Sequence, residues 1–198
     1  ILDGNRVVKV AGQLSQLEGN VVPEIGYWTF RNNLFIDIDL QASCSIPGVA
    51  YYNNVFLRCN QVNGSHVLNF GSRAYTDPVR HHTIGTNYAH GTRVFNNVFL
   101  DCGDDRNTRG WYTMSDTITN CAADYNFVAK NSYGVVKQGT AAVGEAGYHN
   151  MKWFEYHGIN GGNPEFVNVT ALDLRPTANS PLIGAAASLN QLFSNDIL

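Results

Sequence analysis

The chain has 198 residues and a formal net charge of −3, which allows one sizeable core and offers no excess of Lys and Arg to neutralise a phosphate backbone. Charged residues make up 15% of the sequence against about 25% in ordinary domains, and hydrophobic residues 44%, so neutral polar side chains must cover the surface. These values argue against a nucleic-acid partner, and no apolar run approaches the roughly 20 residues of a membrane-spanning helix.

Asparagine fills the polar role with 23 occurrences, beside 19 glycines. Both residue types tolerate the left-handed backbone, so the composition predicts a chain that turns often. Cys44, Cys59, Cys102 and Cys121 have neither the spacing of a zinc site nor the density of a disulfide scaffold. The start at Ile1, without a basic and apolar leader, suggests a processed chain or a fragment.

In chain order, the first recurring element is Phe30-Arg31-Asn32-Asn33-Leu34-Phe35-Ile36-Asp37-Ile38. It returns as Tyr52-Asn53-Asn54-Val55-Phe56-Leu57-Arg58-Cys59 and as Phe95-Asn96-Asn97-Val98-Phe99-Leu100-Asp101-Cys102. A weaker copy is Asp124-Tyr125-Asn126-Phe127-Val128. With Phe as the mark, the intervals are 21, 43 and 28 residues. About 21 residues suit one turn of a three-sided solenoid, so the longer intervals are read as single coils carrying loops. The 43-residue interval then holds a strand at 66–70, an inserted loop at 71–92 and a strand ending at Phe95. Two full coils in that interval is the rival reading, disfavoured because no further Asn-Asn-x-Phe copy lies within it.

Coils about 4.8 Å apart would place equivalent residues in columns, letting Asn amides hydrogen-bond along the axis while one Asn of each pair takes the left-handed corner. Leu34/Val55/Val98, Ile36/Leu57/Leu100 and Ile38/Cys59/Cys102 share one strand parity and are expected to line the interior. The Phe column has the opposite parity, so either the strand bends at it or it packs outward under a loop. Cys59 and Cys102 would be neighbours, close enough for a disulfide, with stacked thiols acting as small hydrophobes the simpler reading. Only short helical turns are expected, near 150–155 and 188–193.

From Asn96 onward five ordered motifs stand out. They are Asn96-Asn97-Val98-Phe99 with Cys102-Gly103, then Asp124-Tyr125-Asn126-Phe127, then Trp153, then Asn163-Pro164-Glu165-Phe166-Val167, and Asp173-Leu174-Arg175 with Ser180-Pro181-Leu182-Ile183-Gly184. In this order they resemble the C-terminal part of the right-handed parallel β-helix proteins found among secreted polysaccharide lyases and glycoside hydrolases. The resemblance implies one all-β domain over 1–198, the C-terminal part of a longer β-helix, with a terminal subdomain and cap over 145–198. Pro164 and Pro181 mark places where the chain leaves its ladder, and the segment after Ser180 is expected to cover the open core. The same architecture is similar to that of phage tailspikes, adhesins and fibres, so function has to come from a site.

Three groups of residues are candidates. The 71–92 loop gathers Arg73, Tyr75, Asp77, Arg80, His81, His82, Tyr88 and His90, a mixture suited to holding a sugar with planar donors and aromatic faces. Arg80, His81 and His82 are its candidate acid, base or cation residues, and Arg73, Tyr75 and His90 its candidate binding residues. A solvated loop or subunit contact is the alternative. Asp101, Asp104 and Asp105, with Arg106, Arg109 and Trp111 as substrate contacts, form an acidic corner whose Gly-Asp-Asp string resembles one motif of the polygalacturonase-type hydrolases. The other motifs of that family are absent, ordinary turn chemistry is the alternative, and calcium would suit such a cluster although no metal set is read from the sequence. Asp37, Arg58 and Asp101 would stack as an acid-base-acid ladder on successive coils. Lys130 and Lys137 are lone candidate bases, and Tyr148, Trp153, Phe154, Tyr156 and His157 form either a sugar platform or packing.

The expected function is an extracellular, carbohydrate-active β-helix, a lyase or a hydrolase, with a polysaccharide as partner. The alternative is a non-catalytic, secreted or cell-surface fibre or adhesive protein that forms homo-oligomers or filaments.

Overall fold

The computed structural model describes residues 1–13, 16–17, 26–40, 42–61, 66–76, 79–80, 83–103, 109–114, 118–129, 151–155 and 157–189. The strands follow the coils. β1 (Leu2–Asp3), β2 (Arg6–Gln13) and β3 (Gln16–Leu17) make the first coil, and β4 (Thr29–Arg31), β5 (Leu34–Leu40) and β6 (Ala42–Cys44) the second. The third is β7 (Ala50–Tyr52), β8 (Val55–Leu57) and β9 (His66–Phe70), after which β10 (Ser72–Thr76) and β11 (Thr83–Tyr88) project as an antiparallel hairpin. The fourth is β12 (Arg93–Phe95), β13 (Val98–Leu100) and β14 (Arg109–Met114). Later coils contribute β15 (Cys121–Asp124) with β16 (Phe127–Val128), then β17 (Met151–Phe154) with β18 (Ile159–Asn160). β19 (Phe166–Asn168) and β20 (Asp173–Pro176) close the chain as a second antiparallel pair.

Three parallel sheets result. Sheet A runs β1-β4-β7-β12-β15-β17, sheet B runs β2-β5-β8-β13-β16-β18, and sheet C runs β3-β6-β9-β14. The protein is therefore an all-β parallel solenoid. β8 pairs directly with β13, Val55 opposite Val98, so the 43-residue interval is one coil, and the expected 71–92 loop is largely the β10–β11 hairpin. Among the described residues no helix is long and apolar enough to cross a membrane. The helical turn expected near 150–155 is instead β17, because pairing with β15 outweighs local preference there. The turn expected near 188–193 lies mostly outside the described residues.

The first corner, between sheets A and B, shows why the repeat is Asn-Asn. Gly4, Asn32, Asn53, Asn96 and Tyr125 take φ of 67°, 56°, 53°, 56° and 59°, a region open to Gly and tolerated by Asn. The next Asn turns inward and forms a buried ladder. The side-chain NH₂ of Asn33 donates to Asn54 Oδ1 (3.0 Å), that of Asn54 to Asn97 Oδ1 (2.9 Å), and that of Asn97 to Asn126 Oδ1 (3.0 Å). Each Oδ1 also accepts the preceding Asn backbone N–H, and the second amide hydrogen reaches a backbone carbonyl, as in Asn97 to Tyr51 O at 2.9 Å. Asn5 extends the ladder at one end, donating to Asn33 Oδ1, and Glu155 ends it by accepting from Asn126 at 2.6 and 3.3 Å.

Two expectations about register are corrected. Phe127 is opposite Val98, not Phe99, so the last repeat lies 29 residues after Asn97 and Val128 takes the Phe column. Two of the columns expected to line the interior instead lie outside it, and the Phe column, whose side was open, points inward. Phe35, Phe56 and Phe99 are fully buried in the main core, with ring centroids 5.0 Å apart in both steps. Leu34/Val55/Val98 and Ile36/Leu57/Leu100 face outward and are covered by Phe166, Val169, Leu172 and Leu182 of the C-terminal segment. Asp37, Arg58 and Asp101 adopt φ of 53°, 52° and 53°, which bends the strand and restarts its parity, so Ile38, Cys59 and Cys102 do line the interior.

Cys59 and Cys102 are free thiols directed at Phe35 O and Phe56 O of the preceding coil. Burial, reinforced by the neighbouring Cys59, pushes the Cys102 thiol well above its ordinary range and keeps it protonated and unreactive. Ala187 locks the C-terminal segment onto the coils through Asn96, its N–H donating to Oδ1 (2.8 Å) and its carbonyl accepting the amide (3.1 Å).

Replacing Asn97 by Ala removes the buried acceptor shared by the Asn54 backbone and side-chain amides, together with the donor to Asn126 Oδ1 and Tyr51 O. We expect a loss of at least about 3 kcal/mol in urea unfolding. Asn53→Gly, at a left-handed and exposed position, should cost less than about 1 kcal/mol.

Candidate functional site

The third corner, between sheets C and A, also uses the left-handed backbone, at Tyr27, Gly48, Gly91 and Asn120 with φ of 65°, 69°, 73° and 58°. The Tyr27 ring lies over Gly48, where a Cβ would come within 2.6 Å of it and force the ring aside. Tyr27 N–H donates to Pro47 O (2.9 Å), Gly48 N–H to His90 O (2.8 Å) and Gly91 N–H to Thr119 O (2.9 Å), which sets these residues on one line along the axis. Tyr27 is 83% exposed and Trp28 41% exposed. A bulky residue held at positive φ with its ring in solvent costs stability without burying apolar surface, the kind of strain that accompanies function.

The hairpin leaves and rejoins the coil beside this corner, its base closed by Ala89 N–H donating to Gly71 O (2.9 Å). Arg73 is exposed on β10 opposite Asn87, Tyr75 sits opposite Gly85, and Arg80 is exposed near the tip. His90 stacks on Tyr88 with centroids 4.9 Å apart and planes 18° apart. Its Nδ1 accepts the Thr119 backbone N–H at 2.8 Å, so the neutral ring carries its proton on Nε2. His90 is therefore an oriented donor, suited to binding. His81, His82 and Asp77 lie outside the described residues.

The expected acid-base-acid ladder occupies the second corner, between sheets B and C. Arg58 donates to Asp37 twice, Nε to Oδ1 at 2.6 Å and Nη2 to Oδ2 at 3.1 Å. The hydrogen bond to Asp37 raises the Arg58 guanidinium further above its usual range. Asp101 is shifted the other way for an acid, its carboxyl held above the ordinary 3.8 by burial while Arg58 draws it down. Asp104, Asp105 and Arg106 lie outside the described residues, and of Arg109 and Trp111 only the backbone, on β14, is placed. Among the described residues no group of three or more His, Cys, Asp and Glu side chains is arranged to hold a metal, so only Asp101 of the proposed calcium corner has a described position.

A third arrangement was not anticipated. The buried carboxylate of Asp124 on β15 accepts the N–H of Tyr125 (2.8 Å), the N–H of His157 (2.7 Å) and His157 Nδ1 (2.8 Å). The His157 ring stacks on Tyr125, centroids 4.3 Å apart and planes 11° apart. Tyr125 also lines a cavity of about 180 Å³ between the coils and the C-terminal segment, with Phe127, Ile159, Phe166 and Leu182. The sequence offered one clue, a carboxylate in the column that the two preceding coils fill with Tyr52 and Phe95. His157 itself was grouped with aromatic residues, of which Tyr148 and Tyr156, like Lys130 and Lys137, lie outside the described residues. Trp153 and Phe154 lie on β17.

The chain matches no protein-family model, no curated protein and no solved structure.

The two carboxylates of the ladder should respond oppositely. Asp37→Asn removes a half-exposed ion pair and should cost at most about 1 kcal/mol at neutral pH. For Asp101 the folded carboxyl titrates above the unfolded one, so its ionisation opposes folding as pH rises past 3.8 through the folded value. Asp101→Asn should therefore match or exceed wild-type stability at pH 7 and equal it below pH 3.8, as thermal melts across pH would register.

Proposed function

We propose that this chain is an extracellular, carbohydrate-active β-solenoid of the polysaccharide lyase or glycoside hydrolase type, which holds a polysaccharide along its third corner and the adjoining hairpin. The observation that carries this reading is the line formed by the exposed Tyr27 ring, Pro47 and His90 beside a hairpin bearing Arg73. A pyranose ring stacks on an aromatic face while planar donors such as Arg and an oriented imidazole N–H bind its hydroxyl or carboxylate oxygens. Successive sugars need a linear track of binding groups, and stacked coils repeat corner positions about 4.8 Å apart. The ordered motifs from Asn96 to Gly184, similar to those of secreted lyases and hydrolases, support the same class.

A second reading, a non-catalytic fibre, spike or surface protein, is favoured by the Asp37–Arg58 pair. That arginine is held twice by a carboxylate of the preceding coil and serves stacking. Trimers or filaments in light scattering and electron microscopy would support it.

Incubation with acidic and neutral polysaccharides, with and without calcium, should yield bound complexes and either new reducing ends or unsaturated products. Tyr27→Ala should weaken binding roughly fivefold, the loss of about 1 kcal/mol of stacking. No binding and no product across the set would contradict the proposal.

A further inference from the structure

The apolar face that sheet B turns away from the main core is covered unevenly. Leu34, Val55, Val98, Phe127 and Ile159 follow one another rung by rung along it. The C-terminal segment packs Phe166, Val169, Leu172 and Leu182 against this face. Beyond Leu182 the chain turns at Gly184, φ 73°, and continues as the alanines of 185–187. Ala185 and Ala186 form part of the roof of the cavity of about 180 Å³, whose floor carries Val98, Phe127 and Ile159. Methyl side chains in the roof leave the space above that floor unfilled.

The polar walls of this cavity are already satisfied. The Asn96 NH₂ donates to Asn53 Oδ1 (3.0 Å) and to Ala187 O (3.1 Å), and its Oδ1 accepts the Ala187 N–H (2.8 Å). Asn53 donates in turn to Asn32 Oδ1 (3.3 Å), and Asn54 and Asn97 are rungs of the buried ladder. Each lining amide thus has a protein partner on both its oxygen and its nitrogen. Among the described residues no charged side chain lines the space. A polar solute entering it gives up water hydrogen bonds without replacement, whereas an apolar one exchanges water for packed aliphatic and aromatic walls.

We propose that this cavity is a binding site for a small apolar ligand, an aryl or short alkyl group. An apolar cavity of about 150 Å³ holds one benzene, so the space here suits about six to eight carbon atoms. Such a ligand touches Val98 and Phe127 of the coils together with Phe166, Leu182 and Ala185 of the C-terminal segment. Binding therefore joins that segment to the solenoid and stabilises the folded chain by linkage. The site adjoins the first corner, away from the third-corner track, and needs no polysaccharide.

The test titrates the full chain with toluene, and with benzoate as an anion of similar shape, following methyl resonances by NMR and the melting temperature. Toluene should shift the Val98, Leu182, Ala185 and Ala186 methyls saturably and raise the melting temperature by about 3 °C at ten times its Kd. Benzoate should do neither. Ala185→Leu, which fills the space, should abolish both responses. Val98→Ala, which deepens the floor, should improve the affinity for p-xylene relative to toluene about fourfold over wild type, the burial of one further methyl, and decides the matter if Ala185→Leu does not fold. No response up to the solubility of toluene, an equal response to benzoate, responses that survive Ala185→Leu, or an unchanged preference in Val98→Ala would each overturn the site. None of these outcomes touches the polysaccharide reading.

Discussion

Coils of this protein stack on one another because the inward Asn of each first corner is a directional connector. Its amide oxygen receives two donors from the neighbouring coil, and its NH₂ group reaches onward to the next oxygen and across to a backbone carbonyl. Buried polar groups are costly when unpaired, so an interior that contains such a column must keep every rung in register. The ladder has a polarity, and it ends where polarity requires. Glu155 offers carboxylate oxygens to Asn126 but no NH₂ to pass on, so the column closes there.

Register then determines what lies inside. Left-handed residues at all three corners re-aim the strands, and the bend at Asp37, Arg58 and Asp101 inverts the parity that a continuous strand would have kept. That bend brings Ile38, Cys59 and Cys102 into the main core beside the stacked rings of Phe35, Phe56 and Phe99, while the alternate residues leave a second apolar face on sheet B. The C-terminal segment covers this face, and its docking on Asn96 uses an outer amide of the same Asn-Asn pair. One dipeptide thus serves the inner ladder, the left-handed corner and the attachment of the terminal segment.

The repeat and its Asn ladder were legible in the sequence because identical residues recur at spacings that a coil can accommodate. The acid-base-acid column at Asp37, Arg58 and Asp101 was legible for the same reason. Strand parity was not, since a single positive φ in the middle of an apolar run leaves no mark when Asp, Arg and Asp occupy it in turn. The register of the fourth repeat was misread because Phe127 looks like a core mark, whereas it is the Asn column that fixes alignment. The Asp124–His157 pair joins residues from different coils, across a stretch whose length no repeat constrains. The exposed Tyr27 gained meaning only when its ring was found over Gly48 and in line with His90. Hydrogen bonding orients two imidazoles differently: His90 Nδ1 accepts a backbone N–H, whereas His157 Nδ1 faces the Asp124 carboxylate.

The account depends most on the inner ladder, and side-chain amide hydrogen exchange followed by NMR tests it most directly. The NH₂ protons of Asn54, Asn97 and Asn126 should exchange as slowly as the backbone amides of the central strands, while those of the exposed Asn53 exchange quickly. Fast exchange at all four positions would contradict a ladder that holds the coils together.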